Sequence, residues 1–235
     1  MATTGASLLT SASILLLDED RIRWPLPELV GWINEAQRAI VLAKPSAKSE
    51  SVVISLIAGT LQSLTNTDHL ALLRIPRNIV TEGPPRVGGR AIRPTTRELL
   101  DASSPGWHEP DTFAYKKDVR QYVYDEESPR EFYVFPGNLG TGKIEAVVSV
   151  LPTRLTASGD VHDIDSYGAS IGLPEPYAPV ILDWVLYRAF SKDSMEADTG
   201  RAQLHYQAYA TALGLKVQAE RAYSPNTKAR VQATG

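Results

Sequence analysis

The segment from Gly137 to Lys143 has the spacing of a phosphate-binding loop, with glycines at both ends of a six-residue run and a lysine after it. Such a loop presents backbone N–H groups and a lysine to phosphate oxygens and leads into a helix. Here Ile144 stands where the hydroxyl ligand of magnesium would be, and the residues after it follow a strand pattern. We therefore interpret the segment as a loop between antiparallel strands and expect no nucleotide to bind.

A second glycine pattern surrounds Ser170, where Gly168 and Gly172 complete the G-x-S-x-G spacing of a hydrolase nucleophile. That motif requires a strand before the serine and a helix after it. Polar, loop-like residues precede Ser170, and the only histidine downstream, His205, falls within a predicted helix. This context favours a loop, and a hydrolase that uses Ser170 stays the less favoured enzymatic alternative.

Two groups of histidine and acidic residues could in principle ligate a metal. They are His108, Glu109 and Asp111, and His162, Asp163 and Asp165. Neither group has a spacing typical of a metal site, and acidic loop residues are usually solvated. We therefore predict no metal, no cofactor, no catalytic residues and no enzymatic activity.

The elements that would position these residues change type along the chain. Apolar residues recur at helical spacing in residues 6–17, 27–43, 176–190 and 194–213. Strand patterns lie between them, in residues 51–57, 60–64 and 143–150, and residues 122–135 form a hairpin pattern. Residues 58–59 look like a turn that returns the chain from the first strand into the second.

This order predicts an α+β protein in which the N- and C-terminal helices form one helical module with an inserted antiparallel β-rich module. We place the helical module at residues 1–49 and 172–223. The inserted module takes residues 50–171, and a flexible tail takes residues 224–235. The last two predicted helices, separated by a short break, are expected to form a helical hairpin.

Composition limits the classes of partner. The 235 residues carry a net charge of −3, so the whole chain is not a general trap for nucleic acid. No cysteine is present, which excludes disulfides and cysteine-based metal sites. No apolar run reaches the roughly 18–20 residues that span a bilayer, so no membrane partner is expected. Positive charge is concentrated after residue 214, where the chain has four basic residues and one acidic residue.

Four segments of the chain form an ordered set of motifs. The longest, DRIRWPLPELVGWINEAQRAI, begins at Asp20, and the others are LLDASSPGWH from Leu99, YVYDEESPREFYVFP from Tyr122 and YAPVILDWVLYRAFSKD from Tyr177. Together these segments resemble the phage head-to-tail adaptor proteins, the ring proteins beneath the portal. The resemblance covers most of residues 8–215. Each motif is modest by itself, and their order and spacing carry the resemblance.

The resemblance implies a non-catalytic structural protein of the virion, made in the host cytoplasm and located in the neck between head and tail. It implies a ring, typically of twelve copies, that binds the portal protein above and a tail nozzle or tail tube protein below. Genomic DNA passing through the channel is a further possible contact. A DNA-packaging accessory protein that binds this DNA directly is the main alternative.

The basic C-terminal segment is the predicted portal contact. Adaptor C-termini commonly reach into the portal, and this segment has too few large apolar groups to order by itself. We expect residues from about 214 to 235 to become ordered on the portal. The predicted portal-binding residues are Lys216, Arg221, Tyr223, Lys228, Arg230 and Val231.

Overall fold

The spacing of apolar residues changes from helical to strand-like and back again along the chain, and the secondary structure follows these changes. The computed structural model describes residues 3–192 and 198–223, with side chains described as far as residue 214. These residues fall into two units, one from Met1–Ala47 and Pro152–Gly235 and the other from Lys48–Leu151. The first unit is helical and the second is built mainly of antiparallel strands, so the predicted α+β class is confirmed.

The described residues of the helical unit form four α-helices. They are α1 (Gly5–Leu15), α2 (Leu26–Ala43), α4 (Ala178–Ser191) and α5 (Thr199–Tyr223), with short 3-10 turns at Pro45–Ala47, Ile164–Tyr167 and Glu175–Tyr177. The Thr4 hydroxyl accepts a hydrogen bond from the Ser7 N–H and so caps α1. Pro25 and Pro27 open α2, where the first N–H groups have no partner within the helix. The core includes the fully buried Ile33, Ile40 and Ile181.

Residues 152–171 belong to this helical unit, although their polar composition predicted that they are part of the inserted module. Leu155, Tyr167 and Ile171 are buried in the helical core and anchor the segment there. Asn34 of α2 fixes its start, because its side-chain amide donates to the Leu155 carbonyl at 2.9 Å and accepts from the Leu155 N–H at 2.8 Å. A few apolar residues therefore decide where this segment packs.

Helices α4 and α5 form the predicted antiparallel hairpin. Aromatic pairs fix its register: Trp184 meets Tyr209 with ring centroids 4.8 Å apart, and Tyr187 meets Tyr206 at 5.2 Å. By this register the first residue of α4 lies level with about residue 215 of α5. The last two turns of α5 therefore run past the start of α4.

The β unit contains two four-stranded sheets and one helix. Its elements are β1 (Ser49–Ser55), β2 (Ala58–Ser63), β3 (His69–Thr81), β4 (Val87–Ala91), β5 (Arg93–Pro94), α3 (Arg97–Ser103), β6 (Gln121–Tyr124), β7 (Glu131–Leu139) and β8 (Lys143–Val150). The sheet orders are β1-β8-β3-β4 and β2-β7-β6-β5, antiparallel except for the short β5–β6 pair. Leu72 and Ile144 from one sheet and Phe132 and Val134 from the other share one core.

The predicted hairpin over residues 122–135 is confirmed, because β6 and β7 pair antiparallel. The strand predicted over residues 60–64 is present as β2, but residues 58–59 begin this strand and do not form a turn. The predicted return beside β1 is wrong, because β1 pairs with β8 whereas β2 pairs with β7. The Gln62 side chain holds the crossing between the sheets by accepting from the Ile57 N–H at 2.8 Å and donating to the Ile57 carbonyl at 2.9 Å. Because β7 pairs with β2 and β8 pairs with β1, these two consecutive strands lie in different sheets and do not form a hairpin.

Candidate functional site

In the segment that resembles a phosphate-binding loop, the side chain of Asn138 occupies the position that a phosphate would need. The buried Asn138 accepts hydrogen bonds from the N–H groups of Gly140 at 2.8 Å and Gly142 at 3.1 Å. Its amide donates to the carbonyls of Lys116 at 3.1 Å and Lys117 at 2.8 Å. These two backbone N–H groups, which a phosphate would need, are therefore already bonded within the protein.

The two residues at the end of this motif have structural contacts. Gly142 connects β7 to β8, and a Cβ there would collide with the Asn138 amide and the Lys117 carbonyl, which accounts for the glycine. Lys143 is the first residue of β8 and forms an ion pair with Glu82. The prediction that both residues lie in a loop between antiparallel strands is therefore corrected: only Gly142 lies between the strands, and β7 and β8 belong to different sheets.

Ser170 lies in a bridge with the N-terminal segment, where it pairs antiparallel with Thr4. The Gly5 N–H donates to the Ala169 carbonyl at 2.9 Å, and the Ile171 N–H donates to the Thr3 carbonyl at 3.1 Å. A strand-to-helix elbow is thus not formed around this serine in the described part of the chain. The downstream histidine, His205, contacts Asp183 at 3.0 Å across the α4–α5 hairpin.

The two candidate metal groups are held in loops by other contacts. His108 packs on Trp107, and its Nδ1 lies 2.8 Å from the Thr60 hydroxyl. The Asp163 carboxylate accepts from the Asp165 N–H at 3.0 Å at the start of a 3-10 turn. Within residues 3–192 and 198–223, no three histidine or acidic side chains are grouped as a metal site would require.

The predicted portal-binding residues lie at the end of the chain. Lys216, Arg221 and Tyr223 are part of the α5 backbone, which stays helical to Tyr223. The expectation of a tail that lacks structure from about residue 214 is therefore corrected, since the helix continues past Gly214. The other three predicted residues, Lys228, Arg230 and Val231, lie outside the described residues.

The loop at residues 16–24, which joins α1 to α2, presents two large aliphatic side chains to solvent. Leu17 is 89% exposed and Ile22 is 83% exposed. We call this segment the apolar loop.

The apolar loop has a fixed conformation despite its exposure. The Asp18 carboxylate accepts hydrogen bonds from the N–H groups of Ile22, Arg23 and Trp24 at 2.9–3.1 Å. Leu17 and Arg21 adopt left-handed backbone conformations, with φ of 55° and 56°. For residues with a Cβ this conformation costs roughly 1–2 kcal/mol each. Asp18 and the buried Trp24 therefore hold a strained loop in place.

A second exposed surface is the side of α5 that faces away from α4. Among the side chains of α5 up to residue 214, the buried ones are Ala202, Tyr209 and Leu213, which fall on one stripe of the helix. Leu204 lies about 200° around the helix from that stripe and is 66% exposed. We call the surface around Leu204 the outer face of α5. Helical spacing predicted α5, but neither surface was predicted from the sequence. The only sequence signal for the loop was Leu17 next to the charged residues 18–23 and Ile22 among them.

None of the described helices is long and apolar enough to cross a membrane. A comparison with curated proteins finds no match. The family model described as SU10 adaptor protein matches residues 3–229, nearly the whole chain. The predicted resemblance to phage adaptor proteins is confirmed by this match, and a phage adaptor is a structural component of the virion. The chain therefore belongs to the SU10 adaptor protein family.

Proposed function

We propose that this adaptor forms a ring beneath the portal in the virion neck and connects the capsid to the tail. The ring has twelve copies, the number that the family resemblance implies. The helical unit builds the ring, the C-terminal end of the chain binds the portal protein, and a tail nozzle or tail tube protein attaches below. The protein itself acts by assembly and carries out no catalysis.

One observation carries this proposal: α5 is much longer than the helix it packs on. It spans 25 residues, whereas α4 spans 14. The last two turns of α5, about 12 Å of helix, run past the first residue of α4 and lead directly to the basic C-terminal residues. A preformed helix end that approaches a partner lowers the entropy cost of docking the residues that follow it.

The distribution of charge also supports the proposal that the C-terminal end of the chain binds the portal. Residues 215–235 carry four basic side chains and one acid, although the whole chain is acidic. An acidic groove on the portal would attract this segment and not the rest of the subunit. Individually weak subunit contacts are sufficient for a ring on such a template, because each bound copy raises the local concentration of the next.

The proposal is tested by mixing the purified protein with its portal ring and measuring the mass of the complex. We expect a mass increase equal to a whole number of subunits, twelve for a full ring. A chain that ends at Leu215 is expected to stay folded, as judged by circular dichroism, and to lose portal binding.

Charge and docking are separated with two matched variants. Lys216→Ala with Arg221→Ala should weaken portal binding, whereas Lys116→Ala with Lys117→Ala removes the same charge from exposed positions of the β unit and should not. If both double variants weaken portal binding equally, the attraction between the subunit and the portal is electrostatic but not specific to the C-terminal segment. A mass unchanged by the portal would reject the proposed function.

A further inference from the structure

The sheet β1-β8-β3-β4 ends in two edge strands, and each of them has one side that pairs with no other strand of the described residues. All pairs in this four-stranded sheet are antiparallel, so β1 and β4 lie at opposite edges and run in opposite directions. A free edge can pair with a strand of another chain, and natural proteins usually protect their edges against this. Both edges are therefore candidates for a contact between chains.

Strand β1 lacks the features that usually protect an edge. It is seven residues long, its pairing with β8 has no bulge, and it contains neither lysine nor proline. In the other sheet, the edge strand β2 is bulged next to Gly59, and β5 has only two residues, of which one is Pro94. Of the edge strands in the described residues, β1 is therefore the one best suited to receive a partner strand.

The free edge of β1 presents regularly spaced backbone groups. The Lys48 carbonyl accepts from the Val150 N–H at 2.9 Å just before the strand. Just after it, the Leu56 N–H donates to the Gly142 carbonyl at 2.9 Å. Because the residues of a strand bond alternately to its two sides, the even-numbered residues between these points face β8. The N–H and C=O groups of Ser49, and of every second residue after it, therefore point away from β8.

The free edge of β4 presents its backbone groups in the same way. The Ile92 N–H donates to the Pro76 carbonyl at 3.0 Å, and the Arg90 carbonyl accepts from the Asn78 side-chain amide at 2.9 Å. Both of these groups bond to β3. The N–H and C=O groups of Ala91, which lies between them, therefore point away from β3.

We infer that β4 of one subunit pairs antiparallel with β1 of the next subunit, with Glu50 opposite Arg90. This alignment places Ser49 opposite Ala91, so that their outward backbone groups meet, and it uses the whole of β4. The small rotation between neighbours in a ring keeps strand directions nearly unchanged, so these two unlike edges meet antiparallel. The inference rests on the proposed ring and adds a contact between neighbouring β units to those of the helical unit.

Charge complementarity favours a second copy of this chain as the occupant. Glu50 is the only charged residue of β1, and Arg90 is the only one of β4. Both are exposed, and neither side chain has an ion pair or a hydrogen bond within the described part of the chain. Opposite charges that face each other across an antiparallel pair stabilise it. A two-fold pairing of β1 with β1 would offer no such partner to Glu50.

The size of the contact suits a ring that is assembled on a template. A stable pairwise interface buries about 800 Å² on each partner. A pair of strands in which one has five residues offers less than this, so we expect no stable dimer in solution. On the portal, each subunit would make the contact twice, once with each edge, and closure of the ring would add the contacts together.

Cysteine crosslinking tests the inference directly, because the natural chain contains no cysteine. We would make the double variant Ser49→Cys, Ala91→Cys, bind it to the portal ring and add a short bifunctional maleimide. Within one chain, three strand spacings, or about 14 Å, separate the two edges, so a shorter reagent joins only neighbouring copies. The matched control is Ser49→Cys, Ala102→Cys, because Ala102 is an exposed alanine on α3, which packs on the other sheet.

The expected result on the portal is a ladder of crosslinked subunits, several times stronger with the Ser49→Cys, Ala91→Cys variant than with the control. A portal-bound complex of normal mass in which the two variants crosslink equally would overturn the inference and leave the proposed function standing. Crosslinking of the single variant Ser51→Cys to itself, as a two-fold pairing of β1 would give, would also overturn it. If no complex with the portal forms, the proposed function fails and the inference fails with it.

Charge reversal provides a second readout. We expect Glu50→Arg and Arg90→Glu each to lower the apparent affinity for assembly on the portal at least tenfold, and the double variant Glu50→Arg, Arg90→Glu to restore it. Glu126→Arg, at an exposed position of the turn between β6 and β7, is the control and should have no effect. Thermal unfolding should be unchanged in all four variants, since the three positions are exposed. Unchanged assembly by both single variants, or a loss that the double variant does not restore, would overturn the inference.

Discussion

Replacing Asn138 by alanine should strongly destabilise the β unit. The side chain is fully buried and makes four hydrogen bonds to backbone groups, two as acceptor and two as donor. A buried backbone group that loses its partner costs about 1–3 kcal/mol, and one that water can reach costs less. Gly142 is buried whereas Gly140 is exposed, so the Gly142 N–H accounts for the largest single loss. We expect a total loss of about 3–4 kcal/mol in the free energy of unfolding.

Urea unfolding of the natural chain and of Asn138→Ala measures this loss, and amide hydrogen exchange at Gly142 locates it. Asn138→Asp separates the two halves of the effect, because its carboxylate still accepts from both glycine N–H groups but cannot donate to the carbonyls. It should keep the Gly142 amide protected. Gln207→Ala, at an exposed position of α5, is the control and should change the free energy by about 0.5 kcal/mol or less. A loss below about 1 kcal/mol for Asn138→Ala would refute this reasoning.

Three further outcomes are expected. Gly31→Ala should raise the free energy of unfolding by about 0.5–1 kcal/mol in thermal melts, since Gly31 lies in the exposed interior of α2 and no atom lies within 4 Å of the added Cβ. The hydrogen bond from Lys143 lowers the pKa of Glu82 below 4.5, so Lys143→Ala should raise that pKa in an NMR titration and leave ATP binding undetectable. Burial lowers the pKa of His108 below its ordinary value of 6.5. The neutral imidazole therefore makes its full contribution to stability above pH 6.5, and this contribution is lost as the pH falls through the lowered pKa. The difference in Tm between the natural chain and His108→Gln should therefore narrow between about pH 7.5 and 5.

The sequence predicted those elements whose pattern repeats locally. The helix expected at 27–43 is α2, Leu26–Ala43, because its buried residues recur at helical spacing. The β6–β7 hairpin was predictable because a polar turn separates two strand patterns that pair with each other. Strand partners further apart were not predictable, since the pattern of β1 shows that it is a strand but not that it pairs with β8.

The surfaces and polar contacts were harder to predict for a different physical reason. Asn34 and Asn138 look like ordinary loop or surface residues in the sequence, and only the fold shows that they satisfy buried backbone groups. The left-handed conformation of Leu17 and Arg21 has no sequence signal, because it is imposed by the hydrogen bonds to Asp18 and not by glycine. The four basic residues of the C-terminal segment were visible in the sequence, whereas the extent of α5 past α4 was not.

The pairing of β1 with β8 also affects how the helical unit can form. Ser49 lies opposite Ser149, and the Val150 N–H donates to the Lys48 carbonyl, so the insertion begins and ends at adjacent positions. Closing a flexible loop of about 100 residues costs about 3 kcal/mol more than closing one of about four residues. Once its sheets have formed, the insertion acts as a short connection between α2 and residue 152. The β unit therefore lowers the entropy cost of bringing together helices that are far apart in the chain.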